Sequence, residues 1–269
     1  STNYSEMKNI ILPIPPLPEQ RAIAAFLDRE TGKIDRMIGK QERMIELLKE
    51  KRQAVISNAV TKGLPAEASA KAGLDPNAPM KDSGIEWLGE IPEHWSKVQF
   101  NVCVSIANGQ VDPRIERYAE MTLIAPNHIE SGTGRLLNAE TAQDQGADSG
   151  KYWCDKGDVI YSKIRPALKK ACIAPFDCLC SADMYPMKGM SRLINTFLFW
   201  YLLSDSFSKF AVLESDRVAM PKINRDTLGG CRLPVPPENE QQAIAEYLDE
   251  ETAKIDNLIA KAEQAIELM

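Results

Sequence analysis

The sequence predicts an α+β domain held between two long helices, and three observations carry that expectation. The two ends of the chain repeat each other, each repeat has helical periodicity free of proline, and the segment between them breaks into short β-prone runs. Residues 12–47 read LPIPPLPEQRAIAAFLDRETGKIDRMIGKQERMIEL and residues 233–268 read LPVPPENEQQAIAEYLDEETAKIDNLIAKAEQAIEL. They align without a gap at an offset of 221, with about 22 of the 36 positions identical. A duplication of that length implies approximate two-fold symmetry in the parent molecule.

Each copy begins with an extended proline cluster (Pro13, Pro15, Pro16 and Pro18; Pro234, Pro236 and Pro237) and continues without proline. Proline suits the first helical turn and not the interior, so each helix is expected to start just after its cluster, the first running from about Glu19 to Val60. Glu19 and Glu240 then fall in the first turn, at the positive end of the helix dipole. Ile34, Ile38, Gln41, Ile45, Leu48, Arg52, Val55 and Ala59 alternate in steps of four and three, and Ile255, Ile259, Ala262 and Ile266 keep the same register in the second copy. That spacing is a coiled-coil seam, and a helix of about 60 Å needs a partner, so the two copies are expected to pack on each other.

Residues 61–84 are rich in Gly, Pro, Ala and Ser and read as a linker, after which residues 85–95 (IEWLGEIPEHW) read as an anchor packed on the next domain. Runs at 99–107, 121–125, 158–163 and 171–175 are β-prone and separated by turn residues, whereas 195–213 carries apolar residues at helical spacing and predicts one mostly buried helix. The expected divisions are residues 1–11, a first helical region at 12–60, a linker at 61–84, a globular domain at 85–232 and a second helical region at 233–269.

A chain that is 44% hydrophobic and 26% charged, with no run of eighteen apolar residues and no signal-peptide pattern at its start, is expected to fold as a cytoplasmic protein without a membrane partner. Six cysteines in 269 residues are too sparse for a disulfide scaffold, so free thiols are expected. The net charge of −6 argues against nucleic acid until it is partitioned. Residues 151–192 carry eight basic and four acidic side chains, and the stretch KIRPALKK at 163–170 has four basic and none acidic.

Lys163, Arg165, Lys169 and Lys170 are therefore the first candidates for DNA contact, lying around a strand expected to end at Pro166 and presented in or beside the loop that follows it. Arg165 is the base-reading candidate because its planar fork matches guanine, and the lysines suit phosphates. Asn127 and Arg135, with Arg117, Tyr118 and His128, form a second group, and Arg217 and Lys222, with Asn224, a third. For each, the bland alternative is a solvated or packed surface residue.

The sequence contains no phosphate loop, no Asn-Pro-Pro-Tyr, no G-x-G-x-x-G and no H-E-x-x-H, and its only histidines are His94 and His128. No catalytic residue, metal or cofactor is expected, and Cys172, Cys178 and Cys180 read as buried thiols rather than part of a zinc site. A metal-dependent nuclease would need an acidic cluster such as Asp155, Asp158 and Asp183 beside the basic stretch. A coiled-coil adaptor that binds protein instead of DNA is the competing reading.

Taken together, PIPPLPEQRAIAAFLD with KID, its second copy PVPPENEQQAIAEYLD with KID, the phrase KDSGIEWLGEIPEHW, and GDVIYSKIRPALKKA resemble the specificity subunit of type I restriction-modification enzymes. The resemblance implies a noncatalytic subunit in which two long helices form an antiparallel coiled coil that spaces two target-recognition domains. By the same resemblance each domain is expected to read one half of a bipartite double-stranded DNA target, with methyltransferase subunits expected to dock on the helical regions and the restriction subunit to join through them. Only one complete recognition domain is expected here, at 85–232. The 221 offset lays residues 222–232 on residues 1–11, so those residues are expected to be the tail of a preceding recognition domain. The chain then reads as a C-terminal half with its second helix cut short, and it allows a homodimer through the long helices.

Overall fold

The two proline clusters lead into helices by the same local chemistry. In the computed structural model, which describes residues 13–215 and 221–269, α1 spans Leu17–Lys62. The amides of Glu19 and Gln20 donate to Pro16 O at 2.9 and 3.0 Å, and the Gln20 side chain folds back to Pro15 O at 2.7 Å. At the offset of 221 the pattern recurs: Glu240 and Gln241 amides donate to Pro237 O, both at 3.0 Å, and Gln241 Nε2 donates to Pro236 O at 2.8 Å. The repeat is thus a repeat of capping geometry, with a glutamine side chain satisfying a carbonyl just before the helix.

Between the helices the elements run α2 (Ala66–Lys71), β1 (Met80–Asp82), β2 (Glu90–Pro92), β3 (Ser96–Gln99), α3 (Phe100–Cys103), β4 (Val104–Ile106), α4 (Glu116–Ala119) and β5 (Leu123–Ile124). They continue with β6 (Tyr152–Cys154), β7 (Val159–Ser162), β8 (Ala171–Ile173), β9 (Cys178–Cys180) and β10 (Met184–Gly189). The last are α5 (Asn195–Leu203), α6 (Asp205–Leu213), α7 (Arg225–Gly230), β11 (Arg232–Val235) and α8 (Glu238–Glu267). A four-stranded antiparallel sheet has the order β4-β10-β7-β8, and a three-stranded sheet β5-β9-β6 has β5 parallel to β9. β3 and β11 pair antiparallel, Gln99 opposite Arg232, so the strand that opens the domain lies beside the strand that closes it.

The chain divides into two compact units, one of residues up to Leu48 together with Asp256–Met269, the other Lys49–Ile255. In the larger unit the apolar core joins Ile56, Ala59 and Val60 of α1, Trp95, Tyr161, Tyr185, Phe197, Tyr201, Phe207, and Ile244, Ala245 and Leu248 of α8. α5 is buried from Phe197 to Leu203, as expected of a helix apolar on every side.

Several expectations are corrected. Residues 195–213 form two helices, not one. Ser204 is extended (ψ 157°), its hydroxyl oxygen accepts from the Phe207 amide at 3.2 Å and its O–H donates to Tyr201 O at 2.7 Å, so a short polar side chain ends α5 and caps α6. The run at 99–107 is interrupted by the helical turn α3. Within residues 61–84 lie α2 and β1, the latter paired with β2. The strand at 158–163 ends at Ser162, ahead of Pro166. No helix among the described residues is long and apolar enough to cross a membrane.

Most seam positions are shielded, although Ile34 is 37% exposed and the fully buried Ile56 and Val60 lie off the seam. Ile45, Arg52 and Ala59 are buried on α1, Ile255 and Ala262 on α8, with Ile38, Leu48, Ile259 and Ile266 half-buried. The two copies differ at their N-terminal turns: Ile244 and Leu248 are 0% exposed, whereas their counterparts Ile23 and Leu27 are 44% and 51% exposed.

Candidate nucleic-acid interface

Beyond β7 the chain makes a strained turn. Arg165 and Lys169, both at φ 47°, bracket a short 3₁₀ helix over Pro166–Leu168. Non-glycine residues in the left-handed region cost on the order of 1–3 kcal/mol each and persist only where the surroundings fix them. Those surroundings are backbone hydrogen bonds from three directions. The Arg165 amide donates to Pro221 O at 2.7 Å, Ile223 N to Lys163 O at 2.9 Å, Lys163 N to Asp183 O at 3.0 Å and Gly132 N to Lys169 O at 3.2 Å. The 163–170 turn thus lies beside segments 130–135 and 221–223, tens of residues away in sequence, which carry or adjoin Arg135 and Lys222.

Their side chains differ in availability. Arg165, Lys222 and Asn127 are exposed, and Arg165 and Lys222 form no ion pair among the described residues. Lys163 is half-buried with its ammonium 5.4 Å from the centre of the Tyr185 ring. Lys170 Nζ donates to Pro126 O at 2.6 Å, which ties the turn to the short helix Pro126–His128 that carries Asn127. Lys169 is bonded to the Asp205 carboxylate. Arg135 is exposed and pairs with Glu130 at 2.9 Å.

The auxiliary candidates have structural employment. Tyr118 is core, with Arg117 stacked over its ring at 4.3 Å. His128 is buried and Nδ1 accepts from the Ala125 amide at 3.2 Å, and Asn224 caps α7 by accepting from Thr227 N at 2.8 Å. Arg217 lies outside the described residues.

Asp155 and Asp158 share one cation, Lys188, at 2.5 and 3.5 Å. Lys188, and after it the Trp153 indole, holds the Asp155 carboxyl below the usual carboxylate range. Asp183 serves through its backbone, receiving the Lys163 amide. No group of three or more His, Cys, Asp or Glu among the described residues is arranged to hold a metal ion. All six cysteines are buried free thiols. Burial pushes Cys103 up to about 11, and Cys172 and Cys231 up to about 12, so they lie far from the thiolate range.

Residues 104–268 match the family model described as the type I restriction modification DNA specificity domain. The chain belongs to that family. It is 32% identical over 266 residues to the type I restriction enzyme EcoDI specificity subunit of Escherichia coli, an alignment covering 97% of this chain and 59% of that protein. The putative MjaX specificity subunit of Methanocaldococcus jannaschii is 26% identical, over 96% of this chain and 55% of its own length. The chain thus spans somewhat over half the length of these relatives. The fold is shared with a structure of a type I R-M system at a TM-score of 0.64 and 17% identity, covering 99% of this chain and 60% of that one. It is shared also with the HsdS subunit from Thermoanaerobacter tengcongensis at a TM-score of 0.51 and 16% identity, covering 98% and 60%.

Within the part matched by the specificity family, one residue escaped sequence reasoning. Arg225 at the start of α7 donates from Nη1 to Ile106 O at 3.1 Å and Asn108 Oδ1 at 2.6 Å, and from Nη2 to Ala107 O at 2.6 Å. Its guanidinium stands 5.0 Å from the Tyr185 ring centre, the same ring that carries Lys163. Nothing near Arg225 in sequence marks it, because its hydrogen-bond partners lie more than a hundred positions away.

Proposed function

We propose that this chain serves as a noncatalytic specificity subunit of a type I restriction-modification system, with residues 85–232 reading one half of a bipartite duplex target. The observation that carries the reading is the meeting of Asn127, Lys163, Arg165 and Lys222 around the turn at 163–170, with Arg165 and Lys222 exposed and without an acidic partner among the described residues. Arg165 reads a base edge and Lys163, Lys170 and Lys222 meet phosphates. Lys169, bonded to Asp205, holds the turn in place.

The long helices pack as an antiparallel coiled coil and dock methyltransferase subunits, which bring in the restriction subunit. A second recognition domain covers the exposed face of Ile23, Phe26 and Leu27. Support comes from the other copy, where the equivalent residues Ile244 and Leu248 are buried and Gln241 also bonds Arg192 O at 2.7 Å and the Ile194 amide at 3.0 Å. Light-scattering mass distinguishes a homodimer, in which a second copy supplies that domain, from a monomer.

The reading is tested by selecting bound duplexes from a random pool with the chain assembled with methyltransferase partners. Wild type yields one recurring half-site, and Arg165→Ala loses preference at one position in it. A pool returned without enrichment refutes the proposal.

A further inference from the structure

The loop that carries Arg135 and the turn that carries Arg165 are fastened to the long helix by a closed circuit of hydrogen bonds. Arg52, a cation only 6% exposed at a seam position of α1, donates from Nη1 to Gly132 O at 2.8 Å and from Nη2 to Thr133 O at 3.2 Å. Gly132 in turn donates its amide to Lys169 O at 3.2 Å, at the end of the turn. The Lys169 ammonium is bonded to Asp205, and the Asp205 amide donates to Ser57 Oγ at 2.9 Å, back on α1. Gln53, beside Arg52, donates to Ser57 Oγ at 3.2 Å and to Leu203 O at 3.0 Å. One face of α1 therefore holds both ends of a path that runs through both loops.

We infer that Arg52, with Ser57 as the second anchor, is a positioning residue for DNA reading, fixing the 130–135 loop and the 163–170 turn against the helix so that their side chains meet the duplex preformed. The inference rests on the DNA reading proposed above. A guanidinium suits this task, because its rigid planar fork donates to two successive carbonyls from two separate nitrogens, whereas an ammonium offers all its donors from one flexibly held point. A glycine at 132 (φ 73°) and another at 134 (φ 77°) let the chain turn sharply enough to present those carbonyls. The arrangement removes the freedom that loops otherwise lose on binding, and a reader held in place discriminates better than one that must be ordered by its target.

The test uses the full chain and two variants, Arg52→Met and Ser57→Ala; the second keeps the question open to refutation should the first not fold. Amide exchange on the unbound chain reads the circuit directly. Both variants are expected to speed exchange of the Gly132 amide and of the 163–170 turn while leaving β9 unchanged. In complexes with methyltransferase partners, the ratio of affinities for the selected duplex and a scrambled one should fall by about 10-fold in Arg52→Met, the scale of one base contact, with the salt dependence of binding unaltered. Arg52→Lys should recover only part of that ratio. Unchanged exchange in both variants overturns the circuit while DNA discrimination stands, and faster exchange with an undiminished ratio overturns the positioning role. A wild-type complex that binds all duplexes alike overturns the DNA reading and this role with it.

Discussion

Lys222 and Lys169 sit on opposite sides of one argument about charge. Lys222 is exposed beside the turn at 163–170 and has no acidic partner among the described residues, whereas the Lys169 ammonium is already bonded to Asp205 and its side chain is only 16% exposed. A cation that neutralises a phosphate displaces a condensed counterion and contributes about 0.9 to the slope of log K against log salt. Between about 50 and 200 mM salt one such contact changes affinity about 3.5-fold. Lys222→Ala should therefore flatten the salt dependence of duplex binding by about one unit of slope and weaken all sequences alike. Arg114→Ala, which removes a cation already paired with Asp112 at 2.8 Å, should leave the slope as it is. The assay is fluorescence anisotropy of a labelled duplex with the assembled complex over a salt series, comparing slopes rather than single affinities. An unchanged slope in Lys222→Ala, or an equal loss in Arg114→Ala, would refute the assignment of phosphate contacts to this turn.

Other outcomes follow from the packing. Gly134→Ala places a methyl 2.3 Å from Phe199 Cζ and 3.3 Å from Ala171 O at a positive φ, so it should destabilise by about 2–4 kcal/mol in chemical denaturation. Because all six thiols are buried, a disulfide-exchange reagent should label none of them in the native chain at pH 8 and all six in guanidinium. Asp155 is held below its ordinary value, so its contribution to stability is present above the usual carboxylate range and fades as the pH falls through the lowered folded value. Lys188→Met should therefore reduce stability near neutrality and converge on wild type in strong acid, as read from denaturation midpoints across the pH series.

The architecture was legible where its causes are local. Prolines stop a helix and a seven-residue apolar rhythm continues one, so both long helices and their boundaries could be read to within about two residues. The break at Ser204 was not legible, because apolar spacing runs on through it and only the serine's bonds to Tyr201 and Phe207 interrupt the helix. The site was half legible. A run of like charges flags a basic stretch, yet spacing alone does not show that Lys169 turns toward Asp205 while Arg165 stays free of acids among the described residues. Arg52 was visible as a charged residue in an apolar seam, and its purpose was not, since the carbonyls it serves lie some eighty residues further on.

The pairing of β3 with β11 also governs when this molecule can finish folding. Gln99 waits for Arg232, and the apolar faces of α1 and α8 that join the same core leave a ribosome far apart in time. At roughly 5–20 residues per second, the first strand is exposed on the order of ten seconds before its partner emerges. During that interval Trp95, Phe100 and the inner face of α1 have no complete core to enter, and their apolar surface stays open to contacts that the finished packing excludes.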